Sequence, residues 1–158
     1  MNQVVVGVVT FLLGVVLIVL VFNMVYPYIQ QKAAQERFYA AKSAAIALSD
    51  AIEKVVEAGV GSATTVKISL PPNTVVISGP NSIRFVVYGA PQYQAAVNIT
   101  NGTITYVGIV PRGSAVEVQV NATSGWTFTT KGVSVAGREN TVLVNYTKAY
   151  NVEIDWEG

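Results

Sequence analysis

Cysteine and histidine are both absent from the 158-residue sequence. Their absence excludes disulfide bonds, thiol nucleophiles, histidine general bases, zinc clusters of the Cys/His type and haem ligation by either residue. A small domain without disulfides depends for its stability on its own core or on neighbouring subunits. The sequence therefore predicts no cofactor and no metal site, and it argues against an enzyme.

Charged residues are also scarce, at 12% of the chain against about 25% in an average soluble domain. The net charge is +1, and the charges are scattered rather than gathered into a basic stripe, so no nucleic-acid partner is predicted. No charged residue precedes Lys32. This uneven distribution indicates two parts, an apolar N-terminal segment and a more polar remainder long enough for one domain.

The N-terminal segment is apolar enough to cross a membrane. Residues 4–21 read VVVGVVTFLLGVVLIVLV, close to the ~20 apolar residues that span a hydrocarbon core. A cleaved secretory signal fits less well, because the run exceeds the usual h-region and no basic residues precede it. The pattern is compatible both with a membrane anchor and with the core of a polymer.

A second helical pattern follows Pro27. Its apolar residues recur in alternating steps of three and four, which places them on one helical face: Phe38, Ala41, Ala45, Leu48, Ile52 and Val55. We predict that this apolar seam holds the C-terminal domain onto the helix within one subunit. Gly59 and Gly61 then supply a stop signal.

Residues 1–60 are therefore predicted to form a long N-terminal helix, hydrophobic over residues 1–31 and amphipathic over residues 32–60. Pro27 is predicted to kink this helix, because proline lacks a backbone donor and clashes with the preceding turn. A break into two helices at Pro27 is the alternative.

From residue 61 to residue 158 the hydrophobic period changes to alternation. The segments 66–70, 116–120 and 152–156 alternate apolar and polar residues, as half-buried strands do. Turn signals separate such segments, and Asn101-Gly102 between two β-like stretches predicts a hairpin. The chain is thus predicted to be α+β, a long hydrophobic helix followed by an antiparallel β-sandwich or barrel-like domain of seven to nine strands.

Four Asn-x-Thr sequons are candidate N-glycosylation sites, at Asn98, Asn101, Asn121 and Asn145. Asn98 and Asn121 fall on the polar phase of their predicted strands, and Asn101 falls at the hairpin tip. Glycans need such exposed positions in an extracellular protein. These three residues are therefore predicted to be exposed, and at least two of the four sequons to be glycosylated.

Two other groups of residues have competing interpretations. The alternating acids Glu153, Asp155 and Glu157 would share one face of a strand, and a solvated edge strand protected by charge is favoured over a carboxylate site. A set of aromatic residues could form a sugar-binding platform, but a role in the β-core or at an interface is favoured: Tyr88, Tyr93, Tyr106, Trp126 and Trp156.

The eight residues 28–35 read YIQQKAAQ and are similar to the YLQQKA segment found in many archaellins. With the charge-free helix, its amphipathic continuation and a cysteine-free β-domain bearing Thr sequons, they make the whole chain resemble the archaeal type IV pilin superfamily. That superfamily includes adhesion pilins and archaellins, the subunits of the archaeal flagellum (archaellum). Bacterial type IV pilins typically carry glutamate where this sequence has Val5, which favours the archaeal branch.

The resemblance implies a structural glycoprotein of a cell-surface filament for motility or adhesion, inserted in the cytoplasmic membrane before assembly. Expected partners are identical subunits in a helical homopolymer, and an assembly ATPase with platform proteins. The family loses a short charged leader to a peptidase, so Met1 is either the mature first residue or only the point where this sequence begins. The predicted filament core is Val4, Val8, Phe11, Leu12, Val15, Leu17, Ile18 and Val21.

A membrane-anchored monomeric β-domain, acting as a binding module at the cell envelope, is the main alternative. Residues 32–56 distinguish this interpretation from the filament subunit, because a simple anchor does not need a second, amphipathic helix whereas a polymer core does. An envelope enzyme is a weaker alternative, since histidine and cysteine are missing.

Overall fold

The structure, a computed structural model, describes residues 2–89 and 95–157. Within them it has one helix, α1 (Asn2–Ala58), and nine strands: β1 (Ala63–Ser69), β2 (Thr74–Ser78), β3 (Ser82–Tyr88), β4 (Val97–Asn101), β5 (Thr105–Arg112), β6 (Ala115–Ala122), β7 (Thr127–Gly132), β8 (Glu139–Lys148) and β9 (Asn151–Glu157). The predicted α+β class, a long apolar N-terminal helix followed by β-sheets, is confirmed. The chain divides into two compact units, residues 1–34 and 35–158.

The first unit is the N-terminal part of α1, and Met1 lies outside the described residues. Pro27 sits inside the helix rather than between two helices, so the single-helix interpretation is confirmed. Proline leaves the carbonyl of the residue four positions earlier without its helical donor, and that residue is Asn23. The kink at Pro27 stays a prediction.

The second unit combines residues 35–58 of α1 with two β-sheets. Sheet I has the strand order β1-β8-β9-β7, and sheet II has the order β2-β3-β6-β5-β4. The predicted hairpin at Asn101-Gly102 is confirmed, since β4 and β5 pair antiparallel on either side of it. The amphipathic part of the helix thus belongs to the same compact unit as the strands.

Sheet I departs from the predicted antiparallel arrangement in one pairing. Strands β8 and β9 form an antiparallel pair, whereas β7 lies parallel to β9. Strand β8 occupies one edge of β9, and β7 pairs with the other edge. Alternation of apolar and polar residues is the same in parallel and antiparallel strands, so the sequence pattern could not reveal this.

The hydrophobic core of the second unit lies between the two sheets and the helix. Residues Phe38, Leu48 and Ile52 of α1 have 1% or less of their surface exposed, and they cluster with the inward-facing residues of both sheets. The whole predicted seam is buried in the same cluster, so its intramolecular role is confirmed. Ala41 and Ala45 are fully buried and belong to the same cluster.

The helix ends where the sequence predicts. Gly59 and Gly61 adopt φ values of 97° and 92°, the left-handed conformation that glycine tolerates at helix C-termini. The Ser62 hydroxyl hydrogen-bonds to the carbonyl oxygens of Val55 (2.5 Å) and Gly59 (2.6 Å). The single hydroxyl proton is shared between these two acceptors, and at Val55 it serves a carbonyl that the end of the helix leaves open.

Candidate assembly surface

The surface most suited to assembly is the apolar surface, the hydrophobic side chains that residues 4–29 of α1 expose. Every described residue from Asn2 to Lys32 except Gly14 is exposed in the single chain. The eight predicted filament-core residues have between 42% (Val15) and 73% (Val4) of their surface exposed. A helix that is hydrophobic on all sides is stable only inside a membrane or inside a protein assembly.

The polar groups within this segment do not conflict with an apolar environment. The Thr10 hydroxyl donates a hydrogen bond of 2.9 Å to the carbonyl of Val6, one turn earlier, which satisfies its only donor. By length and composition the helix could cross a membrane, and it is the only such helix among the described residues. The coarse part of the localisation prediction, a segment able to anchor in a membrane, is thus supported.

Gly7 and Gly14 open two gaps on one side of the apolar surface. They lie seven residues apart, about two helical turns, and a Cβ atom added at either position would meet nothing within 4 Å beyond its adjacent residues and the backbone of its own helix. Small residues at such spacing let neighbouring apolar helices approach closely.

Glu53 anchors the end of α1 to the β4–β5 hairpin, a role that sequence periodicity missed. Its Oε1 accepts hydrogen bonds from the backbone N–H of Ile104 (2.9 Å) and Thr105 (2.8 Å), and from the Thr105 hydroxyl (3.0 Å). The Thr105 hydroxyl also lies 2.7 Å from the buried Ser49 hydroxyl. Glu53 falls outside the apolar seam, and no local pattern in the sequence relates it to Thr105.

The structure places three of the four sequon asparagines on one face of sheet II. Asn121 lies on β6, opposite Tyr106 on β5. Asn98 and Asn101 lie on β4, opposite Gly108 and Tyr106. Since Tyr106 and Gly108 are two residues apart, they share a face, and so do the three asparagines. This face points away from the core, whose residues Val107, Val118 and Val120 alternate with it.

A β-bulge brings Asn98 and Asn101 to the same face. Residues three positions apart in a regular strand point to opposite faces. Here the pairing register shifts between Asn98 and Thr100, and the extra residue restores Asn101 to the side of Asn98. Both asparagines are exposed. Asn121 is half-buried, so the predicted exposure is complete at Asn98 and Asn101 and partial at Asn121.

Asn145 is separate from the other three sequons. It lies on β8 of sheet I and is half-buried, opposite Ala63 and Glu153 on the neighbouring strands. The threonine of its sequon, Thr147, is exposed. No part of the structure shows which asparagine carries a glycan, so glycosylation stays a prediction at all four sites.

Comparison with protein-family models, with curated proteins and with solved structures finds no match to this chain. The resemblance to the archaeal type IV pilin superfamily therefore remains a hypothesis that rests on the residues alone.

The acidic strand is not at a sheet edge, contrary to the sequence prediction. Strand β9 lies inside sheet I, between β8 and β7. Glu153 is neutralised by Lys131 of β7, whose Nζ lies 2.6 Å from its Oε1. This hydrogen bond and the charge of Glu153 raise the pKa of Lys131. Glu153 on β9 thus forms an ion pair with the neighbouring strand. Among the described residues there is no cluster of three His, Cys, Asp or Glu residues that could hold a metal ion.

The aromatic residues do not gather into one platform. Trp156 is buried in the core at 4% exposure, as predicted, while Tyr88 is half exposed. Trp126 is half-buried and packs instead against Tyr146 and Tyr150, at ring-centroid distances of 5.6 and 5.5 Å. Tyr93 lies outside the described residues.

Proposed function

We propose that the chain is the structural subunit of an extracellular helical filament, which polymerises through the apolar surface of its N-terminal helix. The observation that carries this proposal is the exposure of that surface on all sides of the helix in the single chain. The resemblance to archaeal type IV pilins and archaellins adds the expectation of a motility or adhesion filament whose subunits enter it from the cytoplasmic membrane.

The hydrophobic free energy of the apolar surface favours a subunit whose N-terminal helix stays in lipid or in protein throughout assembly. Burying one Val, Leu or Ile side chain contributes roughly 1.5–3 kcal/mol relative to water, so release of some 20 such residues into water is prohibitive. Transfer from lipid to a bundle of identical helices gains far less, because lipid is equally apolar. Assembly therefore needs an external motor, as the resemblance implies. Identical contacts that do not close into a ring then generate an open helical polymer.

The anchored monomer remains the alternative, and one observation favours it. The amphipathic residues 35–58 complete the core of their own β-unit, so their presence no longer requires a polymer. In an anchored monomer, residues 35–58 would only pack against the strands of their own subunit. In a filament subunit, α1 would do the same and would also contact neighbouring subunits.

The test is to examine surface material sheared from cells by negative-stain microscopy, for the native chain and for Gly14→Leu. The native chain should form filaments. A Cβ atom at position 14 meets nothing within 4 Å beyond its adjacent residues and the backbone of its own helix, and leucine makes the helix more apolar, so an anchor would tolerate it, whereas close helix packing in a filament would not. We expect filament yield to fall at least tenfold while the amount in the membrane is unchanged.

Val15→Leu is the matched control, because it adds bulk beside Gly14 at a position that already carries a large side chain. Filaments of Val15→Leu should form normally. If the native chain yields only a membrane-bound monomer, the filament proposal is wrong and the anchored module is correct. If Gly14→Leu and the native chain assemble alike, the polymer contact lies elsewhere on the chain.

A further inference from the structure

Tyr106 lies between two sequon asparagines on the outer face of sheet II. Tyr106 on β5 is directly opposite Asn101 on β4 and directly opposite Asn121 on β6. Side chains at directly opposite positions share a face, with Cβ atoms about 4.5–5.5 Å apart. A sugar attached to either asparagine therefore starts within contact distance of the Tyr106 ring.

The three sequons of this face differ in how accessible their threonine hydroxyls are. Thr103 of the Asn101 sequon is exposed, as is Asn101 itself. The Thr100 Oγ1 of the Asn98 sequon is buried, without a hydrogen-bond partner. The Thr123 Oγ1 of the Asn121 sequon donates to the Thr103 carbonyl at 3.3 Å. Of the three, only the Asn101 sequon has both its asparagine and its threonine exposed, so a transferase that reads both residues reaches it with the least disturbance of the fold.

We propose that Asn101 is the glycosylated residue of this face and that Tyr106 is the ring against which its first sugar packs. The inference deepens the proposed function and rests on its extracellular part. Transfer forms a bond between Asn101 Nδ2 and the anomeric carbon of a lipid-linked sugar phosphate. It breaks the anomeric C–O bond, and the phosphate leaves as the amide gives up a proton.

The chemistry of Tyr106 suits this role. Its ring is half-buried, and its neighbours across the strands are small polar side chains rather than other rings. Its hydroxyl has no hydrogen-bond partner among the described residues. One face of a pyranose carries C–H groups that pack on an aromatic face, while its hydroxyl groups bind polar tips such as the tyrosine hydroxyl.

The first experiment is site-by-site glycopeptide mass spectrometry of the subunit isolated from its native source. We expect occupancy to be highest at Asn101 and lowest at Asn98. Unmodified Asn101, or Asn98 occupied more often than Asn101, would overturn the assignment. Because the measurement needs only the secreted or membrane-bound chain, it does not depend on filament formation.

The second experiment measures the contribution of Tyr106 to the effect of the glycan on thermal stability. The chain and its Tyr106→Thr variant are produced in a host that glycosylates Asn-x-Thr sequons, each with and without Thr103→Ala, which removes only the Asn101 sequon. We expect the glycan at Asn101 to raise the melting temperature by about 2–6 °C when Tyr106 is present. In the Tyr106→Thr background that gain should disappear.

Tyr88→Thr is the matched control, because Tyr88 is an exposed tyrosine on the same face of sheet II, on β3. Its replacement should leave the gain from the glycan unchanged. An equal gain with and without Tyr106 would overturn the packing role. If Asn101 is glycosylated on a monomeric anchored chain, this inference stands and the filament proposal is wrong. If the chain forms filaments and Asn101 is unmodified, the filament proposal stands and this inference is wrong.

Discussion

The carboxylate of Glu53 hydrogen-bonds to the backbone N–H of Thr105 at 2.8 Å, which joins the last turns of α1 to the β4–β5 hairpin. The same oxygen also accepts the Ile104 N–H and the Thr105 hydroxyl. Thr105 has no exposed surface, and Ile104 has 5%. Three donors of two buried residues thus depend on one side chain that is 51 and 52 residues away in the sequence.

Replacing Glu53 by alanine should destabilise the second unit, because it leaves buried N–H groups without acceptors. We expect a loss of about 2–3 kcal/mol in the free energy of unfolding, measured by urea denaturation of the fragment 33–158. Glu57→Ala removes an exposed acid one turn later and should change stability by less than about 0.5 kcal/mol. Equal effects of the two substitutions would contradict the role of Glu53.

The Glu53 side chain leaves no room for a side chain at Gly102. A Cβ atom at Gly102 would collide with Oε1 of Glu53 and come within 2.9 Å of the Thr105 carbonyl oxygen. Gly102→Ala should therefore destabilise the fragment, and the double variant with Glu53→Ala should lose less than the sum of the two single variants. Additive losses in this double-mutant cycle would show that the two residues do not compete for the same space.

The apolar seam should be sensitive to truncation. Leu48→Ala and Ile52→Ala each leave a cavity among fully buried residues, so each should cost about 2–5 kcal/mol in the isolated fragment 33–158, with no filament present. Asp50→Ala, between them on the exposed side, is the control. If Leu48→Ala and Ile52→Ala leave the melting temperature of the fragment unchanged, the seam faces neighbouring subunits instead.

A charge on the apolar surface should block its use as a polymer contact. Leu13→Asp or Val16→Asp would place an unpaired carboxylate in an apolar environment, at a cost of several kcal/mol, on the order of 3 or more. We expect filaments to be lost, as counted by electron microscopy, whereas Leu13→Val should assemble. Normal filaments from either aspartate variant, with an unchanged membrane pool, would refute a core made of N-terminal helices.

Glycosylation should appear in the intact mass of the native subunit. The mass is expected to exceed the 16.8 kDa of the chain by whole sugar units. If peptides covering Asn98, Asn101, Asn121 and Asn145 are all unmodified, the sequons give no support to an extracellular location.

The sequence by itself determined the features that depend on local periodicity. The charge-free run before Lys32, the seam of Phe38 to Val55 and the glycine stop at residues 59 and 61 each follow from 3.6-residue spacing and from the conformations that glycine allows. The alternating strands and the Asn101-Gly102 hairpin follow equally from local chemistry. These signals lie within a few residues of each other, and they suffice to predict the α+β class.

Only the tertiary structure decided which strands are neighbours and which polar groups meet. The parallel pairing of β7 with β9 and the interior position of the acidic β9 depend on sheet order, which alternation does not encode. The bond between Glu53 and Thr105 joins residues that no periodic pattern relates. The bulge in β4, which sets Asn98 and Asn101 on one face with Asn121, shifts the strand by a single residue. Because one residue reverses every side chain of a strand, the face of each sequon is fixed by pairing rather than by sequence.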